Sequence, residues 1–239
     1  MNILLFGPPG AGKGTQAQRI AKDFNLIQVS TGDLLRNEIK LSTDLGKKIK
    51  DLINKGFLAP DEIVSTLLEN VIKNKKYFGN MIFDGYPRNL NQIKILESLL
   101  KKYNQKVRAI LNLDVEKDII KKRILGRIMC TKCLKTFNEF FDIPNKENHQ
   151  CGDEYLKKRS DDDSKIILNR FDTYIKETKP VLQYYESGEF FYKIDGNQEI
   201  NKIYQEIRGI LENLTDWHYA YFLYKFSKIL DPTLLIWPE

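Results

Sequence analysis

The chain opens on a short apolar run, Met1–Phe6, interrupted only by Asn2. A run of Ile and Leu without polar alternation predicts a strand buried on both faces. A glycine-rich turn follows, and apolar positions then return at helical spacing, which predicts a helix from about Gly12 to Phe24. Leu26–Ser30 reads as a second strand, and Thr31-Gly32-Asp33 carries capping residues for helical segments over about Asp33–Asn54. Another helix is predicted from Pro60-Asp61-Glu62 to about Asn74. Asn80–Phe83 is a third buried strand, closed by Asp84-Gly85-Tyr86-Pro87-Arg88. A helix over Leu90–Lys102, a strand at Val107–Leu113 and a helix from Glu116 to about Arg127 continue the alternation. Such alternation predicts an α/β protein with a parallel sheet covered on both faces.

The stretch Ile128–Arg159 breaks the pattern, with little helical periodicity and a Phe/Asn/Pro-rich middle, and reads as a small inserted subdomain. Helix returns over about Asp162–Glu186, followed by a strand at Phe190–Ile194, the turn Asp195-Gly196 and a closing helix to about Leu214. The extension 215–239 holds both tryptophans, Trp217 and Trp237, with Tyr219, Tyr221, Phe222, Tyr224 and Phe226. Packing on the core is its expected role. It is too short, and too interrupted by Lys225, Lys228 and Asp231, to span a bilayer.

Composition narrows the classes. With 42% hydrophobic and 29% charged residues over 239 positions, the chain can bury a sizeable core, which excludes intrinsic disorder. No run of about 18 apolar residues occurs, so no membrane span is expected. A net charge of +6 is too mild to demand a polyanionic partner. The first strand begins at once and leaves no room for a secretory presequence, so a cytoplasmic protein is expected. All three cysteines lie between Cys130 and Cys151, which argues for a local metal site in a reducing compartment rather than a disulfide framework. The basic residues are nine arginines and twenty-nine lysines. Where lysine serves for generic charge, the few arginines mark places that need a planar, bidentate fork.

Gly7–Thr15 carries the sharpest chemistry. A G-x-x-x-x-G-K loop between strand and helix wraps backbone N–H groups around phosphates and adds the positive helix end. Lys13 is expected on the β/γ-phosphates, with the Mg²⁺-ligating hydroxyl displaced to Thr15 because Gly14 follows the lysine. Asp84 ends a strand beside this loop, where a carboxylate can hold Mg²⁺ waters.

The segments 7–16 (Gly-Pro-Pro-Gly-Ala-Gly-Lys-Gly-Thr-Gln), 30–36 (Ser-Thr-Gly-Asp-Leu-Leu-Arg) and 83–89 (Phe-Asp-Gly-Tyr-Pro-Arg-Asn) stand in the order and spacing found in adenylate kinases. With Gly126-Arg127, the cysteine insert, Arg159-x-Asp-Asp and Arg170, the chain resembles the long-lid form of that family over about residues 1–214. The resemblance implies a P-loop nucleoside monophosphate kinase fold, with a core at 1–29, 61–126 and 163–214, a helical acceptor-binding arm at 30–60 and an inserted lid at 127–162. It implies Mg²⁺-dependent phosphoryl transfer from ATP to AMP, giving two ADP. The donor is implied on Gly10, Ala11, Gly12, Lys13, Gly14, Thr15, Arg123, Arg127, Thr136, Phe137 and Gln198. The acceptor is implied on Thr31, Arg36, Phe57, Leu58, Ala59, Gly85, Tyr86, Pro87, Arg88, Gln92, Arg159 and Arg170. Lys13, Arg88, Arg123, Arg159 and Arg170 are the implied catalytic set. Tyr86 stands where the family often has Phe. Phosphoryl transfer needs positioning and charge stabilisation more than covalent help. Six of the nine arginines (36, 88, 123, 127, 159 and 170) match family phosphate contacts, which argues against solvated surface charge.

A lid that closes over the site excludes water as a competing acceptor, and a flap too small to build a core needs a metal or a hydrogen-bonded cluster. Cys130-x-x-Cys133 has zinc-knuckle spacing, and Cys151 follows. The second ligand pair of the family's metal-bearing lids is lacking in clean form. Asn148 is a poor ligand and Glu154 a less usual one, so Cys130, Cys133, Cys151 and His149 around a structural Zn²⁺ are favoured over reduced cysteines in a hydrogen-bonded lid.

Three rivals remain. A UMP or CMP kinase is disfavoured by the long lid, because those relatives usually have a short one. A regulatory GTP-binding module would need Asn-Lys-x-Asp, which does not occur. One incomplete knuckle without a dense basic stripe disfavours a nucleic-acid partner. A monomer binding ATP and AMP is expected.

Overall fold

In the computed structural model, which describes residues 1–158 and 164–214, the N-terminal apolar run is the centre of the sheet. Five parallel strands lie in the order β2 (Ile27–Ser30), β3 (Met81–Asp84), β1 (Asn2–Phe6), β4 (Val107–Asp114), β8 (Phe191–Asp195). Successive side chains of β1 enter opposite faces, as a period of two requires. Ile3 and Leu5 pack with Ala17, Ile20, Leu111, Ile124, Ile194 and Ile207 on one side. Leu4 and Phe6 pack with Leu68, Phe83, Ile93, Leu96 and Val181 on the other. Both layers exclude water, so β1 is fully buried and its continuous apolar pattern has its explanation.

The first layer is covered by α1 (Lys13–Asp23), α6 (Lys117–Leu125) and a closing helix, α9, over residues 200–214. The second is covered by α4 (Asp61–Ile72), α5 (Leu90–Lys102) and α8 (Lys179–Tyr185). Between β2 and α4, α2 (Thr31–Lys40) and α3 (Asp44–Asn54) form a helical pair. These are the helical segments expected over about 33–54. They meet at Leu41–Thr43, where Ser42 takes φ 52° and the Thr43 hydroxyl caps α3 by accepting the Gly46 N–H at 2.9 Å. At the start of α2 the cap is Ser30, which accepts the Asp33 N–H at 3.2 Å.

Two expectations are corrected. The helix predicted to about Arg127 ends at Leu125, because Gly126 caps it and Arg127 begins an antiparallel sheet. That sheet joins β5 (Arg127–Cys130) to β6 (Thr136–Asn138) and β7 (Leu156–Lys157) and forms the insert. The single helix expected over about Asp162–Glu186 is α7 (Ser164–Thr173), a π-helical turn at Tyr174–Thr178 and α8. Pro180 offers no N–H and crowds the carbonyl four residues earlier, so the helix widens ahead of it. The turn leaves Thr178 buried, its hydroxyl donating to the Arg88 carbonyl at 2.9 Å. The extension 215–239 lies outside the described residues.

Candidate active site

Strand order reverses at β1: the chain leaves it for β2 on one side and later returns to β4 on the other. A crevice at the carboxyl ends of strands forms where the order reverses. The loop after β1, the turn after β3, the start of α2 and the turn after β8 all line one cleft of about 1220 Å³.

The loop is shaped by its glycines. Gly10 has φ 82°, and a Cβ there would lie 2.5 Å from Ile124 Cγ1, so side chains are excluded by strain and space. Gly12, at φ 92°, turns the chain into α1. Gly10, Ala11, Gly12, Lys13, Gly14 and Thr15 all line the cleft at the helix's positive end. The Lys13 ammonium donates to the carbonyls of Gly7 and Pro8, at 2.7 and 3.0 Å. Burial lowers its pKa to about 8, the Asp84 carboxylate opposing and the Arg88, Arg170 and Arg127 charges reinforcing the shift. Burial raises the Asp84 carboxyl, with Lys13 and a hydrogen bond from Gln28 Nε2 at 3.0 Å working against it.

Arginines converge on the same space. Arg36, Arg88, Arg123, Arg127 and Arg170 line the cleft, although they come from α2, the turn after β3, α6, β5 and α7. Arg88 Nε donates to the Gly85 carbonyl at 2.7 Å, which fixes the guanidinium plane. Burial, and then the Arg170 charge, lower its pKa to about 10 against the pull of Asp84. Arg36 pairs with Asp33 at 2.6 Å. Arg123 donates to the carbonyls of Ala11 and Gln198, both at 3.3 Å, and lies 5.9 Å from the centre of the Phe141 ring. Thr136 and Phe137 face the cleft from the insert, whose Asn138 side chain holds the Arg123 carbonyl at 2.7 Å. So many positive groups around the buried Asp84 make a space for polyanions.

The remaining residues implied for the acceptor surround a shallow recess of about 20 Å³ beside the cleft, lined by Thr31, Phe57, Leu58, Ala59, Gly85, Tyr86, Arg88 and Gln92. Pro87 faces the main cleft. The Thr31 hydroxyl donates to the Gly85 carbonyl at 2.9 Å and ties α2 to the turn after β3. Tyr86 is buried and its hydroxyl has no hydrogen-bond partner among the described residues. The Gln92 amide is engaged at both ends, with the Arg88 N–H at 2.7 Å and with Asp61 at 2.7 Å. Arg159 lies outside the described residues. Gln28, Asp61, Asn138 and Phe141 are neighbours that sequence reasoning missed. Each is an isolated polar or aromatic residue outside any motif, and Asp61 registered only as a helix start.

In the insert, the ligand atoms of Cys130, Cys133, His149 and Cys151 all lie within 4.8 Å of one another. The Cys130 sulfur accepts the N–H groups of Lys132 and Cys133, both at 3.4 Å. Burial alone would raise the Cys130 thiol, but hydrogen bonds from Cys133, His149 and Lys132 outweigh it and lower its pKa to about 6. His149 is buried edge-on against Phe137, ring centres 5.1 Å apart, and its Nε2 has no hydrogen-bond partner among the described residues. Three sulfurs and one imidazole at this spacing suit a tetrahedral Zn²⁺ site.

A doubly covered parallel sheet, a phosphate-binding loop at its switch point and an arginine-lined cleft define a P-loop protein of the nucleoside monophosphate kinase fold. A sequence model of adenylate kinase matches residues 5–190. An adenylate kinase of Pelagibacter ubique is 52% identical over 212 residues, 89% of this chain and all of the relative. Adenylate kinases of Bacillus licheniformis and Methanosarcina mazei are each 38% identical over 213 residues, 88% of this chain and 98% of theirs. The chain therefore belongs to the adenylate kinase family, and it is a phosphotransferase.

Proposed function

We propose that this phosphotransferase catalyses the reversible, Mg²⁺-dependent transfer of the γ-phosphoryl group of ATP to AMP, giving two ADP. Adenylate kinase activity rests on the family match and the 52%-identical relative. The observation that carries the assignment of residues is the convergence of Lys13, Arg36, Arg88, Arg123, Arg127 and Arg170 on one cleft. The donor phosphates take the loop Gly10–Thr15, with Arg123, Arg127, Thr136, Phe137 and the Gln198 backbone around the donor nucleotide. The acceptor takes Thr31, Arg36, Phe57–Ala59, Gly85–Arg88, Gln92, Arg159 and Arg170.

An oxygen of the AMP phosphate, already ionised, attacks the γ-phosphorus while the bond to the bridging oxygen of ATP breaks and ADP leaves. Lys13, Arg88, Arg123, Arg159 and Arg170 stabilise the charge spread over the transferring group. Mg²⁺, which Asp84 would hold through water, supplies charge neutralisation on the donor phosphates when bound. The recess between residues 30–60 and Gln92 opens beside the main cleft, which would set the acceptor base against Gln92 and its phosphate towards the arginines. The insert at 127–162 acts as the lid. Cys130, Cys133, His149 and Cys151 would hold a structural Zn²⁺, which substitutes for the hydrophobic core a flap of this size cannot build. Thiolate ligands need a reducing compartment, which favours the cytoplasm, and the reading is of a monomer.

Initial rates of ADP formation with MgATP and AMP, GMP, CMP or UMP test this reading. A strong preference for AMP with two ADP per turnover is the expected result. Preference for a pyrimidine nucleotide would overturn the acceptor assignment, and no transfer to any of them would overturn the whole reading.

The Lys13 environment predicts a pH dependence. In the free enzyme its proton is lost above about pH 8, so kcat/KM for MgATP should fall as pH rises beyond that point. Bound phosphates favour the charged ammonium, so kcat should hold to higher pH. Profiles of kcat/KM and kcat that bend at the same pH would contradict this role.

A further inference from the structure

Gln92 is 2% exposed at the edge of the acceptor recess, and its amide is held by two partners whose chemistry allows only one orientation. The backbone N–H of Arg88 can only donate, so it must meet Oε1, at 2.7 Å. The carboxylate of Asp61 can only accept, so it must meet Nε2, at 2.7 Å. A flipped amide would set N–H against N–H and oxygen against oxygen. Asp61 is itself fixed: Asn89 Nδ2 donates to its Oδ1 at 3.1 Å, and Asn91 Nδ2 donates to its Oδ2 at 2.7 Å. Burial would raise this carboxyl, but hydrogen bonds from Asn91, Gln92 and Asn89 outweigh it and hold it below the usual range, so it is ionised at neutral pH.

We propose that Asp61, through its hold on the Gln92 amide, is the positioning residue that sets acceptor-base selectivity for a 6-aminopurine over a 6-oxopurine. After its two internal bonds, Gln92 keeps one N–H donor and one carbonyl lone pair. That pair complements an edge offering an amino donor beside a ring-nitrogen acceptor. A 6-oxopurine offers an oxygen acceptor beside an N–H donor, the reverse order, and would need the flipped amide. Asp61 comes from the start of α4, whereas Gln92 lies in the first turn of α5, so the packing of α4 against α5 adds to the hold that the Arg88 N–H, in the turn before α5, already makes. The proposal rests on Gln92 as the acceptor-base contact.

The test compares AMP with IMP as acceptors for MgATP, in the wild type and in Asp61→Asn. The substituted amide has nearly the same shape but can present either an oxygen or an N–H to Gln92. The wild type should favour AMP. In Asp61→Asn the AMP-to-IMP ratio of kcat/KM should fall about tenfold, as expected when a charge-assisted restraint is lost. KM for AMP should rise, while KM for ATP and kcat at saturating AMP should change by less than about twofold. Equal losses with AMP and IMP, or an unchanged ratio, would overturn the proposal and leave the acceptor site as assigned. A wild type that takes AMP and IMP equally would overturn the Gln92 assignment and the proposal together. Should Asp61→Asn fail to fold, Asp61→Ala removes the acceptor-only carboxylate that holds Gln92 Nε2. The ratio must fall there too, and an unchanged ratio overturns the proposal.

Discussion

Arg88→Lys is expected to keep its fold and lose about two to three orders of magnitude in kcat, the range for removing a preorganised donor to developing charge. The geometry gives the reason. Arg88 Nε is anchored on the Gly85 carbonyl at 2.7 Å, so the guanidinium plane is set before any substrate arrives. A lysine has no second nitrogen with which to make that anchor, and its ammonium is a point charge where a fork is needed. The surroundings add a second loss. Burial and the Arg170 charge already lower Arg88 to about 10, and the same surroundings acting on the more easily deprotonated lysine would bring it towards neutral pH. Steady-state rates at saturating ATP and AMP measure the effect, and a thermal unfolding curve checks the fold. A kcat within about threefold of the wild type would remove Arg88 from the catalytic set.

Removing the lid metal is expected to lower the unfolding temperature by about 10 °C, which corresponds to roughly 3 kcal/mol for a domain of this size. Elemental analysis should find about one zinc per chain before treatment with a chelator, and added zinc should restore the transition. Cys133→Ser should reproduce the loss without the chelator. Cys133 is exposed, so the substitution removes the proposed ligand and leaves no cavity. Turnover should fall with it, because β6 carries Thr136 and Phe137 into the cleft and Asn138 onto the Arg123 carbonyl. A chelated protein that melts at the same temperature would mean that hydrogen bonds such as those of the Cys130 sulfur hold the lid unaided.

Both variants test residues that the sequence had already singled out, for different physical reasons. The arginines were visible because lysine carries most of the generic positive charge and six of the nine arginines match phosphate contacts. The cysteines were visible because they cluster within one insert. Gln28, Asp61 and Asn138 left no such trace. Gln28 reaches Asp84 across the β2–β3 pair, and Asp61 reaches Gln92 from another helix. A hydrogen bond between segments tens of residues apart imposes no periodicity on either segment.

Sequence alone determined the alternation of buried strands and helices, because burial on both faces demands continuous apolar runs and helical coverage demands a stripe. It also determined the phosphate loop, because a chain that must take φ 82° at Gly10 and φ 92° at Gly12 restricts the residue type. Tertiary structure decided the hydrogen bond that Gln28 makes to Asp84, the closure of Asn138 onto the Arg123 carbonyl and the single orientation of the Gln92 amide. These depend on which surfaces meet once the core has packed. Only a third-dimension contact can tell an acceptor from a donor at the far end of a side chain.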